Sequence, residues 1–232
     1  MAKKKEKHIP SNPVSLITYV NPSSPVSEQY RTIRTNIQFA SAVNQRLKTL
    51  VVTSSSASEG KSTTAANLAV VFANSGQRVL LVDADLRKPT IYQTFHLGNS
   101  KGLSTVLSSE ETILETAQKT TIENLSVLTS GPKPPNPSEL LGTVRMNQVL
   151  EEAQNLYDIV IFDMPPVVAV TDAQIIASKT DGTLLVVREN VTQKEAITKA
   201  KDLLKMVNAR ILGVVYNGME QSKDEDYYYY SK

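Results

Sequence analysis

The chain has 232 residues, a formal net charge of +2 and 41% hydrophobic residues, which suffices for one ample α/β core. It contains no cysteine, which excludes disulfides and thiolate chemistry. No apolar run approaches the roughly 18 residues of a transmembrane helix, and no apolar segment follows the N-terminal lysines as it would in a secretory signal. We expect a cytoplasmic protein, and the small net charge gives no indication of a nucleic acid partner.

The first 25 residues are polar and interrupted by prolines. We expect residues 1–25 to form a flexible basic arm. Its lysines are either solvated or attracted weakly to an anionic membrane, at ~1 kcal/mol for each lysine close to the surface. The lysines concerned are Lys3, Lys4, Lys5 and Lys7.

A helix is predicted next, starting at Ser24-Pro25 because proline is suited to the first helical position, and residues 26–42 are its candidate oligomerisation part. One face is apolar at helical spacing and should pack inward; its residues are Val26, Tyr30, Ile33, Ile37 and Ala40. Outside that face lie Glu28, Arg31 and Arg34. These three charges are either solvated or part of a contact between subunits.

The segment Thr53–Thr63 joins an apolar strand to an apolar helix and contains Gly60-Lys61-Ser62. Such a loop presents backbone N–H groups to phosphate at a helix N-terminus. Lys61 would reach the outer phosphates, and the Ser62 hydroxyl would ligate Mg²⁺. By themselves these three residues are also compatible with a surface turn, and Ser55 replaces the first glycine of the pattern. The candidate nucleotide-binding residues are Ser56, Ala57, Ser58, Glu59, Gly60, Lys61, Ser62 and Thr63.

Two further buried strands are predicted to end in aspartate. The first ends at Asp83 and continues through Asp85 to Arg87, and the second ends at Asp163 before two prolines. Ligands of open α/β sheets bind beyond the carboxyl ends of the strands, so these carboxylates are expected beside the phosphate loop.

A nucleotide triphosphate bound there would need a hard cation, which prefers oxygen ligands. Ser62, Asp85 and Asp163 supply such a set, and Asp83 would then accept the proton of an attacking hydroxyl. The roles of Asp83 and Asp85 are interchangeable at this point. Arg87 either neutralises charge in the transition state or forms a structural ion pair.

The remaining elements continue the alternation of strands and helices. A helix is predicted from Pro137 to about Leu156, and Thr192 is expected to cap a helix over residues 193–207. The last strand ends at Asn217. The pattern indicates a doubly wound, mostly parallel sheet within one domain, residues 26–219.

The segment 220–232 is acidic and then tyrosine-rich, and we expect it to be disordered. Its aromatic rings either dock on a hydrophobic groove or serve as phosphoacceptors. A tyrosine hydroxyl of pKa about 10 needs a nearby base, which Asp83 would provide. The candidate acceptors are Tyr227, Tyr228, Tyr229 and Tyr230.

Together these motifs resemble those of the bacterial tyrosine kinases that regulate capsule and exopolysaccharide, in their separate cytoplasmic form. Residues 55–62 are similar to the Walker A element of that family, 80–87 to its Walker A′ element and 159–166 to its Walker B element. Glu28-x-x-Arg31-x-x-Arg34 resembles the motif that joins its subunits in a ring, and the terminal tyrosines resemble its autophosphorylation cluster.

The resemblance implies a P-loop NTPase fold of the deviant-Walker class, with ATP and Mg²⁺ as cofactors. It implies phosphorylation of tyrosines in trans, in a ring-like homo-oligomer whose tails enter neighbouring active sites. The cytoplasmic tail of a membrane adaptor of the polysaccharide co-polymerase type would recruit the kinase to the inner face of the plasma membrane. A phosphatase and polysaccharide enzymes are candidate substrates, and Asn217 would contact adenine.

Two other functions remain open from the sequence. A partition or division-site ATPase typically has an extra lysine early in the phosphate loop, where this chain has Ser56, and has no need of four terminal tyrosines. In a regulatory nucleotide sensor, the aspartates would be structural.

Overall fold

The computed structural model of the chain describes residues 14–42 and 47–219. The predicted tail, 220–232, and the lysines of the arm lie outside the described residues. The described residues form seven strands, β1 (Thr49–Ser54), β2 (Val79–Asp83), β3 (Gln118–Lys119), β4 (Leu125–Leu128), β5 (Ile159–Asp163), β6 (Gly182–Arg188) and β7 (Ile211–Asn217). The helices are α1 (Ile17–Val20), α2 (Pro25–Ala42), α3 (Lys61–Ala73), α4 (Ile91–Thr94), α5 (Leu103–Ser108), α6 (Ile113–Thr116), α7 (Pro137–Leu141), α8 (Val144–Leu156), α9 (Asp172–Ala177) and α10 (Lys194–Met206).

The strands form one sheet in the order β3-β4-β2-β5-β1-β6-β7. Every pair is parallel except β3 with β4. The central strands β1, β2 and β5 are buried along their whole length, because helices cover both faces of a parallel sheet. One apolar core contains α2 and α3 residues, and the other contains residues of α5, α8, α9 and α10. The predicted doubly wound, mostly parallel fold is confirmed.

Residues 14–25 differ from the flexible arm that we expected over residues 1–25. Thr18 is buried and donates its backbone N–H and its hydroxyl to Oδ1 of Asn67, at 3.0 and 2.8 Å. Asn67, in α3, donates its side-chain amide to the carbonyl of Ser15. Since these contacts anchor the segment to α3, the folded domain begins before the helix that we predicted as its start.

Helix α2 has the predicted bounds but a different inward face. Tyr30 and Ile37 are buried as expected, whereas Val26 is 40% exposed and Ala40 is also exposed. In the first turn of α2 the buried residue is instead Ser27, whose hydroxyl donates to the carbonyl of Asn21 at 2.7 Å. The segment before α2 therefore covers a position that an apolar pattern cannot identify.

Two helix predictions also needed correction. The helix predicted from Pro137 to Leu156 is divided between α7 and α8, because Gly142 disfavours helix and Thr143 is extended, with φ −67° and ψ 159°. Thr192 does not cap α10, whose N-cap residue is Gln193. No helix within the described ranges is both long and apolar enough to cross a membrane.

Candidate active site

The predicted site residues come from three strands that are adjacent in the sheet. Strand β5 lies between β1 and β2, with Val52 and Asp83 each paired in register with Asp163. The phosphate loop follows β1, so this loop and the aspartates that end β2 and β5 lie at the same edge of the sheet. The parallel topology thus assembles residues that are more than a hundred positions apart in the chain.

Lys61 is the centre of this cluster. Its Nζ lies 2.9 Å from Oδ2 of Asp85, 3.3 Å from Oδ1 of Asp163 and 3.2 Å from the hydroxyl of Ser62. Burial by itself would lower the pKa of Lys61, but the charges of Asp163 and Asp85 outweigh it and raise the pKa above its ordinary value. The ammonium group is therefore charged at any physiological pH.

Asp83 is fully buried and bound to the loop that follows β2. Its Oδ2 accepts the backbone N–H groups of Thr90 and Ile91, at 3.1 and 3.0 Å. Its other oxygen, Oδ1, is buried and has no hydrogen-bond partner among the described residues. Burial, reinforced by the charge of Asp163, raises the pKa of Asp83 to about 8. One oxygen thus holds the group in place, and the other makes no hydrogen bond within the described residues.

Asp163 is also fully buried, and within the part of the chain that the structure describes its Oδ2 has no hydrogen-bond partner. Burial raises its pKa, while the charge of Lys61 opposes the rise. The unpaired oxygen suits a cation that would be held by Ser62, Asp85 and Asp163. Among the described residues, no group of three or more His, Cys, Asp or Glu side chains is arranged to hold a metal by itself. The donor set consequently fits Mg²⁺ only when nucleotide phosphates and water complete it.

The predicted phosphate loop adjoins the cluster at Lys61 and Ser62. Ser56, Ala57 and Ser58 are exposed, whereas the side chain of Glu59 is buried. Gly60 precedes α3 with φ +96°, and a Cβ there would lie 2.0 Å from Nδ2 of Asn217. Another side chain would be strained at this positive φ and would displace the Asn217 amide, so glycine suits the position. In α3, Ser62 is buried and Thr63 is half-buried.

Asn217 lies beside this loop at the end of β7. Its Nδ2 donates to the backbone carbonyl of Glu59 at 3.1 Å. The contact brings Asn217 to the edge of the candidate nucleotide site, as the resemblance implied, and leaves its contact with adenine a prediction.

Arg87 forms a structural ion pair, one of the two interpretations that the sequence left open. Its Nε and Nη2 donate to the two carboxylate oxygens of Asp172, each at 2.9 Å, and Nη2 also donates to the Ser138 hydroxyl at 3.0 Å. Asp172 is fully buried. The pair connects the loop after β2 to α7 and α9.

The candidate oligomerisation residues lie on α2, away from the phosphate loop. Arg31 pairs with Glu28 and donates to the carbonyl of Pro22. Arg34 donates from Nη1 to the carbonyl of Val71, at 2.8 Å. Both arginines line a cavity of about 270 Å³, so their charge is accessible from outside. The candidate acceptors Tyr227–Tyr230 lie outside the described residues.

The sequence analysis did not identify the residues that pair with Arg87 and Glu59. Ser138 and Asp172 lie 51 and 85 positions from Arg87. Thr192, whose hydroxyl donates to Glu59, lies 133 positions from it. Each belongs to a residue type that is common on surfaces. Only one signal was present in the sequence: Asp172 follows Thr171 at the start of a predicted helix shortly after the two prolines.

Comparison with known proteins supports the sequence resemblance. The family model described as an AAA domain matches residues 47–211. The chain is 50% identical to the tyrosine-protein kinase YwqD of Bacillus subtilis (strain 168), over 93% of this chain and 91% of that protein. It is 38% identical to the tyrosine-protein kinase CpsD of Streptococcus agalactiae, over 84% of each.

Solved structures are similar as well. The chimerical protein CapA2B2 matches with a TM-score of 0.85 and 43% identity, covering 89% of this chain and 90% of that one. The cell division ATPase MinD of Pyrococcus furiosus matches with a TM-score of 0.65 at 24% identity, over 76% and 74%, a likeness that concerns the fold alone. From the curated relatives and the shared architecture, the chain belongs to the family of bacterial tyrosine-protein kinases, with a P-loop nucleotide-binding fold.

Proposed function

We propose that the protein transfers the γ-phosphoryl group of ATP to tyrosines of its own C-terminal cluster, Tyr227–Tyr230, in trans between copies. The observation that carries the proposal is the convergence of Lys61 with Asp85 and Asp163, at 2.9 and 3.3 Å, next to the buried Asp83. Phosphoryl transfer depends chiefly on positioning and on neutralising charge, and this cluster offers one cation and three carboxylates at the end of a phosphate loop.

Each group has a distinct role in the proposed reaction. Backbone N–H groups of residues 56–63 bind the phosphates, and Lys61 neutralises the outer ones. Ser62, Asp85 and Asp163 hold Mg²⁺, which supplies further neutralisation of phosphate charge. Because Lys61 now contacts Asp85 and Asp163 directly, it must turn toward the phosphates when the nucleotide binds.

Asp83 is the proton acceptor in this proposal, in its ionised form, which the charge of Mg²⁺ held beside it would favour by lowering its pKa. The tyrosine O–H bond breaks, its proton passes to Oδ1 of Asp83, the phenolate oxygen bonds to the γ-phosphorus, and ADP leaves. Oδ1 is the carboxylate oxygen without a partner, whereas Asp85 contacts Lys61. This difference favours Asp83 as base and Asp85 as metal ligand over the reverse assignment.

The proposed assembly is a ring-like homo-oligomer that presents each tail to a neighbour. Glu28, Arg31 and Arg34 would form its contacts, supported by the arginine-lined cavity on α2. The cytoplasmic tail of a membrane adaptor of the polysaccharide co-polymerase type would recruit it to the inner face of the plasma membrane. There it would regulate capsular or exopolysaccharide synthesis and export, with a phosphatase and polysaccharide enzymes as further substrates.

Two full-length variants test the transfer. The donor has Tyr227–Tyr230 replaced by phenylalanine, and the acceptor carries Lys61→Met. With Mg-ATP, each variant alone should show little or no phosphotyrosine, whereas the mixture should label the acceptor, because only the donor is active and only the acceptor has the tail. A mixture that stays unlabelled, while the parent protein labels itself, would reject transfer in trans. A fully labelled donor would place the acceptors elsewhere.

A further inference from the structure

The phosphate loop folds around the carboxylate of Glu59, which phosphate binding by backbone N–H groups does not require. The side chain of Glu59 is 1% exposed. Its Oε2 accepts the backbone N–H groups of Ser55 and Ser56, at 2.9 and 3.0 Å. Its Oε1 accepts the hydroxyl of Ser55 at 2.8 Å. A buried charge is costly unless it is well hydrogen-bonded, so this arrangement is stable only with the loop closed around the carboxylate.

The bonds to Ser55 occur where the loop departs from the usual pattern. Ser55 stands at the position of the first glycine, and both its N–H and its hydroxyl are bound by Glu59. Left-handed backbone occurs at Ser58, with φ +65°, and at Gly60, with φ +96°. The loop thus turns at its later residues, and its first residues are held by a side chain.

A second set of contacts attaches Glu59 to the neighbouring strand ends. The hydroxyl of Thr192 donates to Oε1 of Glu59 at 2.7 Å and accepts the backbone N–H of Arg188, also at 2.7 Å. The Arg188 guanidinium donates to the carbonyl of Ser58 at 3.2 Å. The connection between β6 and α10 therefore holds the phosphate loop in place through the carboxylate of Glu59.

We propose that Glu59 is a positioning residue for nucleotide binding, acting through its side chain. The carboxylate holds Ser55 and Ser56, and Thr192 holds the carboxylate. The N–H groups nearer α3 then stay aimed at the phosphates before the nucleotide arrives. The side chain of Glu59 does not itself touch the nucleotide in this account. The inference rests on the proposed nucleotide site and assigns it a support that the P-loop pattern does not contain.

Binding of ADP, measured by calorimetry on the full chain, tests the inference without requiring catalysis. Glu59→Ala removes four hydrogen bonds and should weaken ADP binding about tenfold or more. The KM for ATP should rise by a similar factor while kcat stays within about twofold, as for a loss of uniform binding. Glu59→Gln keeps an acceptor for the two N–H groups and should bind within about threefold of the parent.

Thr192 provides a second pair of variants at a half-buried position, where unfolding is a smaller concern. Thr192→Val loses the hydroxyl and should weaken ADP binding, whereas Thr192→Ser keeps it and should restore binding. Glu195→Ala, an exposed acid on α10, is the matched control and should bind as the parent does.

Two outcomes would overturn the inference. In the first, Glu59→Ala and Thr192→Val bind ADP like the parent. In the second, Glu59→Gln, which keeps an acceptor for the two backbone N–H groups, binds as weakly as Glu59→Ala, which would mean that holding Ser55 and Ser56 does not support binding. A parent protein that does not bind ADP at all would instead reject the proposed nucleotide site, so the two failures are distinguishable.

Discussion

The ammonium group of Lys61 lies 2.9 Å from Oδ2 of Asp85, which links the phosphate loop to the loop that follows β2. Oδ1 of Asp163, at the end of β5, lies 3.3 Å from the same ammonium group. Three carboxylates and one lysine in a buried cluster interact strongly through their charges. Each substitution there should therefore have a different measurable effect.

The dependence on Mg²⁺ should separate the two aspartates of the β2 loop. Asp85→Asn removes a proposed ligand and should raise the Mg²⁺ concentration for half-maximal labelling at least about tenfold. Asp83→Asn removes the proposed base and should lower kcat about a hundredfold without shifting the Mg²⁺ dependence. Titrating self-labelling with Mg²⁺ at saturating ATP measures both, and the opposite pattern would exchange the two roles.

The pH dependence of stability should report the burial of Asp83. Its pKa of about 8 in the folded protein exceeds the ordinary value near 4, so between these limits the folded state retains a proton that the unfolded state has released. The free energy of unfolding therefore falls as pH rises from about 4 to about 8.

Asp83→Asn removes this loss and should raise the Tm relative to the parent, increasingly from pH 5 to 8 and constantly above about pH 9. Thermal unfolding with chelator and without nucleotide measures the difference, and Asp202→Asn, an exposed acid on α10, is the control. A difference that does not vary with pH would mean that Asp83 is ionised throughout.

The Arg87–Asp172 pair should be asymmetric in its energetics. Arg87→Met leaves the fully buried Asp172 with only the Ser138 hydroxyl and should cost about 2 kcal/mol or more. Asp172→Asn should cost less, since Arg87 is 35% exposed and remains hydrated. Urea unfolding measures both, with Lys88→Met as a control that removes an exposed neighbouring charge. Equal costs for the two substitutions would contradict the asymmetry.

Substitutions of Arg31 and Arg34, the two arginines of α2, should also differ in their effect on stability. Arg31→Glu changes a surface contact and should alter the sedimentation coefficient of the assembly with little change in Tm. Arg34→Ala also loses the bond to Val71 and should in addition cost about 1 kcal/mol of stability. Lys201→Glu, on α10, controls for charge reversal itself. Unchanged particle size in both variants would make this part of α2 an ordinary surface.

The motifs could be placed from the sequence because each follows an apolar strand, and parallel strands carry their carboxyl ends to one edge. That reasoning identified Lys61, Asp83, Asp85 and Asp163 as neighbours. It did not settle which aspartate faces the lysine, since Asp83 and Asp85 are only two positions apart and the distinction depends on backbone N–H groups at Thr90 and Ile91.

The rest was inaccessible because it depends on polar contacts between distant residues. Nothing in the local pattern couples Thr18 to Asn67, Arg87 to Asp172 or Thr192 to Glu59. Thr192 shows the difficulty best: a threonine before a helix favours a cap, yet its hydroxyl donates to the phosphate loop. A long-range bond to a buried carboxylate outweighs a local capping preference.

Lys61→Met tests the central claim most directly, through phosphotyrosine per chain measured by mass spectrometry of the tail after incubation with Mg-ATP. Since Lys61 is the cation that contacts both Asp85 and Asp163, its loss should reduce tail phosphorylation by about a hundredfold or more. Lys201→Met should leave it at the parental level. Undiminished tail phosphorylation in Lys61→Met would contradict the assignment of this cluster as the site of phosphoryl transfer.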